Sequence, residues 1–166
     1  MIQVGILTVS TSGAAGERAD TSGDVLVEML QSPPLHASIA ERAIVPDDRG
    51  SIESALRHWA DDRHLHLIVT TGGTGLSPTD ITPEATLAVV DRSVPGLAEA
   101  MRAQTMSATP MAMLSRSVCG CRGASLIVNL PGSPRAVREC LAVILPVLPH
   151  AIDILTRRVT EHQPNS

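Results

Sequence analysis

The stretch LHLIVTTGGTGLSPTDITPE, residues 65–84, contains three successive features that decide the fold. Residues 65–70 form a short apolar run that is typical of a buried strand. The glycine-rich loop at residues 71–75 follows, and Pro83 next to Thr82 then indicates a helix start with the threonine as N-cap. A strand that leads through a tight loop into a helix is the repeating unit of an α/β protein.

The rest of the chain alternates between the same two patterns. Further strands are predicted at residues 3–9, 38–45, 114–121 and 124–130. Helices are predicted at residues 22–31, 52–59, 95–107 and from 133 toward 156, where prolines 146 and 149 kink or divide the last one. The sequence therefore predicts one α/β domain with a mostly parallel sheet over residues 1–160, followed by a frayed tail at residues 161–166.

The composition excludes several classes of function. The chain has 166 residues, 43% hydrophobic residues and a net charge of −4, so it offers no basic surface for nucleic acid. All of its basic residues are arginines, which excludes chemistry that needs a catalytic lysine. Trp59 is the only aromatic residue, and this excludes a platform on which nucleic-acid bases could stack.

The cysteines, the histidines and the N-terminus favour a protein of the cytoplasm without a membrane partner. Cysteines 119, 121 and 140 are odd in number, and we expect them to be reduced thiols. His64 and His66 would share one face of a strand, but this spacing suits a metal pair only weakly, so we interpret them as solvated or hydrogen-bonded. We find no signal-peptide pattern and no apolar run near the ~20 residues that span a membrane.

The loops that carry chemistry are those expected beyond the carboxyl ends of the strands, where α/β proteins bind ligands. They are residues 10–19, 46–48, 71–80 and 131–134. Gly72, Gly73 and Gly75 would let backbone N–H groups approach an anion, although a tight turn without a ligand has the same pattern. Ser133 is expected at a helix N-terminus, where capping and anion binding are compatible roles.

Three aspartates in these loops are candidate functional carboxylates. Asp47 and Asp48 follow one predicted strand and Asp80 follows the glycine-rich loop. Taken singly, each is better explained by ordinary turn chemistry. Two carboxylates from neighbouring strand ends could instead share Mg²⁺, which would leave coordination positions for phosphate oxygens.

Several motifs resemble the MogA/MoaB family of molybdenum cofactor biosynthesis proteins, which is related to the G domains of gephyrin and its plant counterpart. Two of these motifs lie in the opening stretch: TTGGTG at residues 70–75 and DITPEAT at residues 80–86. The others are VPDD at 45–48, PGLAEAMR at 95–102, LSR at 114–116 and NLPGSP at 129–134. The resemblance spans residues 3–155, nearly the whole chain.

This resemblance implies a three-layer αβα fold, a homotrimer or hexamer, and an enzyme that uses Mg²⁺ and ATP. The reaction it implies joins molybdopterin to ATP and gives adenylyl-molybdopterin and pyrophosphate, and a molybdate-inserting enzyme would be a further partner. Asp47 and Asp80 would be the catalytic carboxylates and, by hypothesis, the metal ligands. The ligand would be bound by loop residues and hydroxyls: Ser10, Ser22, Gly72, Gly73, Thr74, Gly75, Ser115, Pro131, Gly132 and Ser133.

One position departs from the family pattern. Well-known adenylyltransferase members have an arginine where this chain has Thr79, so a cation beside the phosphates is missing. Three hypotheses follow: an adenylyltransferase, a molybdopterin-binding scaffold protein without catalysis, and another nucleotide-cleaving protein of this fold, as in competence-damage proteins. Because the chain has no lysine, Mg²⁺, backbone N–H groups, helix N-termini and arginines would have to neutralise the phosphates.

Overall fold

One mixed sheet of six strands forms the centre of the computed structural model, which describes residues 1–156. The strands are β1 (Gln3–Val9), β2 (Ser38–Val45), β3 (Leu67–Thr71), β4 (Arg92–Ser93), β5 (Cys119–Arg122) and β6 (Ser125–Leu130). Their order is β2-β1-β3-β6-β5-β4. The first four in this order are parallel, whereas β5 and β4 are antiparallel to their neighbours.

Helices fill the connections between the strands. They are α1 (Thr11–Ala14), α2 (Thr21–Gln31), α3 (Arg49–Arg57), α4 (Thr82–Leu87), α5 (Pro95–Thr105), α6 (Pro134–Ile144) and α7 (Leu148–Thr156). A π-helical turn (His58–Asp62) extends α3, and 3₁₀ turns occur at Pro110–Leu114 and Leu145–Val147. The predicted tail at residues 161–166 lies outside the described residues.

The sheet is buried on both faces, which confirms the three-layer αβα prediction. One core contains Ile6, Val69 and Val128 of the sheet, with side chains of α2, α5, α6 and α7 packed against them. The other contains Leu7 and Ile68, covered by α3, the π turn and α4. Side chains alternate between the two faces along each strand, so both faces of the parallel strands must be apolar.

Trp59 packs directly against the backbone of β1. A Cβ atom added at Gly5 would lie 2.6 Å from Trp59 Cε3, so the glycine makes room for the indole ring. Trp59 is 5% exposed, and it stands in the core beside α3 as the apolar spacing of that helix predicts. The register between β1 and β2 shifts at the same glycine.

The predicted strand at residues 114–121 is wrong in its first half. Pro110–Leu114 forms a 3₁₀ turn, and the strand begins only at Cys119. The intervening segment crosses the glycine-rich loop instead of joining the sheet, because the backbone N–H of Arg116 donates to Thr74 O at 2.9 Å. The antiparallel pairing of β5 with β6 through residues 122 and 123 is confirmed.

The N-cap prediction for Thr82 is also wrong. Ile81 occupies the N-cap position of α4 without a side-chain hydrogen bond. The Thr82 hydroxyl donates to Gly72 O at 3.0 Å, so it holds the loop and does not cap the helix. The segment expected to be a loop from residue 10 to 19 contains the one-turn helix α1, which Ser10 caps.

The C-terminal helical region is more apolar than we expected from the sequence. By length and composition, Pro134–Thr156 is long and apolar enough to cross a membrane, so the expectation that no segment approaches this limit is wrong. The region is divided at Leu145–Val147, as its prolines predict. Val137, Leu141 and Leu148 are fully buried against the sheet, although only 22% of the most apolar window of this region is buried.

Candidate functional site

The glycine-rich loop leaves β3 and is held by hydrogen bonds to the end of β6 and the start of α4. The N–H of Gly72 donates to Leu130 O at 3.2 Å, while Gly72 O accepts the Thr82 hydroxyl. Gly72 and Gly73 have φ angles of +97° and +67°, which favour glycine. A Cβ atom at Gly72 would overlap the carbonyl oxygen of Val9, so both the backbone angle and the available space require glycine.

The loop also presents amide groups that the protein does not use. Among residues 1–156, the backbone N–H groups of Gly73, Thr74 and Gly75 donate to no protein acceptor. Consecutive free N–H groups in a turn form a concave surface that favours anions. The predicted anion-binding character of the loop therefore has a structural basis in three donors from the backbone.

Asp47 and Asp80 both lie beside this loop. The Asp47 carboxylate accepts hydrogen bonds from the N–H and the hydroxyl of Thr11 at 3.1 and 2.9 Å. A Cβ atom added at Gly73 would lie 3.4 Å from the other oxygen of Asp47. A Cβ atom added at Gly75 would lie 2.9 Å from a carboxylate oxygen of Asp80. The glycines thus leave room for two carboxylates as well as for a ligand.

Arg116 lies in the segment before β5 that crosses the glycine-rich loop, and it holds this loop in place. Its guanidinium donates to Gly75 O at 2.8 Å and to Asp80 O at 2.6 Å, and it pairs with Glu84 of α4. Its hydrogen bond with Glu84 is the main reason that the pKa of this carboxyl lies below its usual value of 4.5. Arg116 therefore fixes the backbone on which Asp80 stands, and each of its three nitrogens already makes a hydrogen bond within the protein.

Two cavities meet at the glycine-rich loop. The first, the loop cavity, has a volume of about 700 Å³ and a lining that is polar and apolar in about equal parts. Residues that line it include Ser10, Arg18, Ser22, Asp47, Gly72 and Ser133. The second, the methionine cavity, has a volume of about 530 Å³ and a more apolar lining. Residues that line it include Met101, Arg102, Met111, Leu114 and Ser115.

Three residues line both cavities: Gly73, Asp80 and Gly132. Thr74, Gly75 and Pro131 line only the methionine cavity. Every residue that the family resemblance implies for the site thus borders one cavity or the other, whereas the candidate Asp48 borders neither. Loops that are distant in sequence meet because β1, β3 and β6 are parallel and adjacent.

The predicted serines already make hydrogen bonds within the protein. Ser10 caps α1 and Ser133 caps α6 through its hydrogen bond with Ala136 N at 3.2 Å. The Ser22 hydroxyl is buried and donates to Gly132 O at 2.6 Å. The Ser115 hydroxyl bonds to that of Ser117 at 3.2 Å. These side chains shape the two cavities, and their role in ligand binding stays a prediction.

Asp20 is a site residue that the sequence analysis missed. Its carboxylate accepts the Thr8 hydroxyl at 2.9 Å, caps α2 through Gly23 N at 3.0 Å, and pairs with Arg42 at 2.8 Å. The sequence Asp20-Thr21-Ser22-Gly23 has the pattern of an N-cap, which was the available signal. Its partners Thr8 on β1 and Arg42 on β2 reach it only in the tertiary structure, so the local sequence does not reveal them.

The histidine and metal predictions have simple outcomes. His66 accepts a hydrogen bond from Gln3 N at 3.0 Å through Nδ1, as expected for a hydrogen-bonded residue. Residues 1–156 contain no group of three or more histidine, cysteine, aspartate or glutamate side chains placed to hold a metal ion. The cysteines are free thiols, and burial raises the pKa of Cys119 to about 12.

The fold and this site define a class of α/β protein that binds its ligand beyond the carboxyl ends of parallel strands. The chain belongs to the family described as "Probable molybdopterin binding domain", whose sequence pattern matches residues 5–150. The resemblance to MogA/MoaB proteins is thereby confirmed. Members of this family take part in molybdenum cofactor biosynthesis.

Solved structures and characterised relatives agree on the family. The molybdopterin biosynthesis enzyme MoaB from Thermus thermophilus is 52% identical, with a TM-score of 0.89 over 95% of this chain and 98% of that one. The Mog protein from Mycobacterium ulcerans is 42% identical, with a TM-score of 0.87 over 94% and 100%. A molybdopterin adenylyltransferase from Helicobacter pylori is 40% identical over 154 residues, 93% of this chain and 88% of the relative.

Proposed function

We propose that this protein is a molybdopterin adenylyltransferase that uses ATP and Mg²⁺. The observation that carries the proposal is the junction of the two cavities, where Gly73, Asp80 and Gly132 face both of them. An adenylyl transfer joins two phosphorylated molecules, so the enzyme must hold each one separately and bring their phosphates together. The loop cavity and the methionine cavity provide two spaces with one shared boundary.

The proposed reaction makes one phosphoanhydride bond and breaks another. A terminal phosphate oxygen of molybdopterin attacks the α-phosphorus of ATP, and the bond from that phosphorus to the bridging oxygen breaks and releases pyrophosphate. The attacking phosphate is already anionic, so the step needs no general base. Catalysis then depends on alignment and on neutralisation of phosphate charge, which is how phosphoryl-transfer enzymes generally work.

Each part of the site has a role in this reaction. The free N–H groups of Gly73, Thr74 and Gly75 receive phosphate oxygens. Asp80 lies at the boundary where the two phosphates meet, and Arg116 fixes its backbone. These contacts hold the reacting atoms in place and leave the bond rearrangement to the substrates.

The donor chemistry at the junction fits Mg²⁺. This ion typically takes one or two carboxylates from a protein and completes its coordination with water and substrate phosphates. Asp47 and Asp80 would hold it, since both border the glycine-rich loop and line the loop cavity. When bound, the ion neutralises phosphate charge.

A second candidate function is a molybdopterin-binding scaffold protein without catalysis. The specific observation in its favour is Thr79, whose hydroxyl lies 3.1 Å from that of Ser77 and which supplies no charge beside Asp80. A scaffold protein would bind molybdopterin and leave ATP unchanged. The two proposals therefore differ in turnover and not in binding.

We further propose that the enzyme works in the cytoplasm as a homotrimer or hexamer and delivers its product to a molybdate-inserting enzyme. The family resemblance implies this assembly. Met111, Met113 and Leu114 support self-association, because these large apolar side chains are exposed in the single chain at 62%, 64% and 48%. Sedimentation of the purified protein measures the number of subunits.

The function is tested by comparing Asp80→Asn with Asp62→Asn in an assay for adenylyl-molybdopterin. Both changes remove one negative charge, but Asp62 lies on the π turn and pairs with His58, away from either cavity. We expect Asp80→Asn to lower the rate by about 100-fold or more, as the loss of a key electrostatic group does in other enzymes. Asp62→Asn should keep the rate of the unmodified protein.

Thermal unfolding of both variants controls for folding. An unchanged rate in a folded Asp80→Asn protein would contradict the role assigned to this carboxylate. Molybdopterin binding without any product from the unmodified protein, next to an active control enzyme, would favour the scaffold protein.

A further inference from the structure

The loop cavity is lined by a single arginine. Arg18 lies on the exposed segment between α1 and α2, and it borders the same space as Asp47, Asp80 and the glycine-rich loop. The other charged side chains in the lining are acidic: Glu17, Asp20, Asp47 and Asp80. Asp20 is already paired with Arg42. An anionic ligand in this cavity would therefore meet one cationic side chain of the protein.

Arg18 is also one of two arginines in residues 1–156 whose side chains make no hydrogen bond or ion pair with the protein. The other is Arg92, in the short edge strand β4 and outside both cavities. Arg116 uses its guanidinium on Gly75 O, Asp80 O and Glu84, and it cannot turn to a ligand without releasing the loop. Arg102 donates to Ser117 O at 2.8 Å and borders the methionine cavity.

We propose that Arg18 binds a phosphate group of the substrates in the loop cavity and supplies the cation that is absent at Thr79. This inference rests on the proposed function and names a residue for it. An arginine with no partner in the protein keeps all of its donors for a ligand, and its fork of N–H groups matches the oxygens of a phosphate. The phosphate comes either from ATP or from molybdopterin, and kinetics can separate these two sources.

The first experiment measures the binding of inorganic pyrophosphate with Mg²⁺ by calorimetry. It compares the unmodified protein with Arg18→Ala and with the matched control Arg92→Ala, which removes the same charge from an equally unpaired, exposed arginine. We expect Arg18→Ala to weaken binding by about 10- to 100-fold, the effect of losing a charged hydrogen bond. Arg92→Ala should change binding by less than about twofold.

Steady-state adenylylation then identifies the source of the phosphate. If Arg18 binds ATP, Arg18→Ala should raise the KM for ATP and leave the KM for molybdopterin unchanged, and the opposite result would assign Arg18 to molybdopterin. Thr79→Arg should restore part of the loss in the Arg18→Ala protein, because it places a guanidinium next to Asp80.

The outcomes separate this inference from the proposed function. Absence of product from the unmodified protein, with pyrophosphate binding that depends on Arg18, would reject the enzyme and keep the phosphate site. Equal pyrophosphate binding by Arg18→Ala and Arg92→Ala would overturn the inference, whatever the activity. Failure of the unmodified protein to bind pyrophosphate would overturn it as well.

Discussion

The path of the glycine-rich loop can be tested with Gly72→Ala, for which Gly16→Ala is a matched control. Both glycines have positive φ, +97° and +76°, so an alanine at either position has a backbone strain of about 1–3 kcal/mol. At Gly72 the new Cβ atom would also overlap the carbonyl oxygen of Val9, a backbone atom of β1 that cannot rotate away. A Cβ atom added at Gly16 would have no neighbouring atom within 4 Å.

Overpacking of a well-packed region costs about 1–3 kcal/mol, so Gly72→Ala should lower the free energy of unfolding by about 2–6 kcal/mol in total. Gly16→Ala should lower it by the strain alone, about 1–3 kcal/mol. Urea denaturation measures both values, provided that the slope m is the same in the three proteins. Equal losses of stability in the two variants would refute the claim that the end of β1 confines the loop.

Three further predictions concern other parts of the structure. Since Arg116 holds the folded pKa of Glu84 below its usual 4.5, the stability from this pair is complete above about pH 4.5 and is lost as the pH falls through the lower folded value. Glu84→Gln should therefore lose less stability on acidification than the unmodified protein, and parallel pH profiles would contradict this. Asp48 caps α3 through Ser51 N at 2.8 Å, so Asp48→Ala should lower the urea concentration at the midpoint of unfolding, and an unchanged midpoint would contradict a stabilising cap. Burial raises the pKa of Cys119 to about 12, so iodoacetamide at about pH 8 should label this thiol only after unfolding. If the native protein were labelled as fast as the unfolded protein, the thiol would be accessible and the prediction wrong.

Much of the fold could be predicted because its signals are local. β1 and β2 occur at the predicted residues. As expected, Pro33 and Pro34 follow the end of α2, and Pro146 lies where the C-terminal helical region divides. The prediction failed between residues 114 and 118, where an apolar and polar alternation resembles a strand. That segment follows the glycine-rich loop through the bond from Arg116 N to Thr74 O, and a partner so distant in sequence leaves no periodic signal.

The candidate site was predictable to a similar extent and for a similar reason. The glycines and the aspartates at 47 and 80 are recognisable from motifs. The topology brings them together at one edge of the sheet, where the ends of β2 and β3 lie on either side of β1. The roles of Thr82 and Arg116 depend on which loop backbone they reach in three dimensions. Thr82 looks like a cap in the sequence because capping and loop binding use the same hydroxyl.

The measurement that tests the central claim most directly is product analysis after the purified protein is mixed with molybdopterin, ATP and Mg²⁺. The proposed function predicts adenylyl-molybdopterin and pyrophosphate in equal amounts, with loss of one ATP for each. Full recovery of ATP and molybdopterin, in parallel with turnover by an active relative, would contradict it.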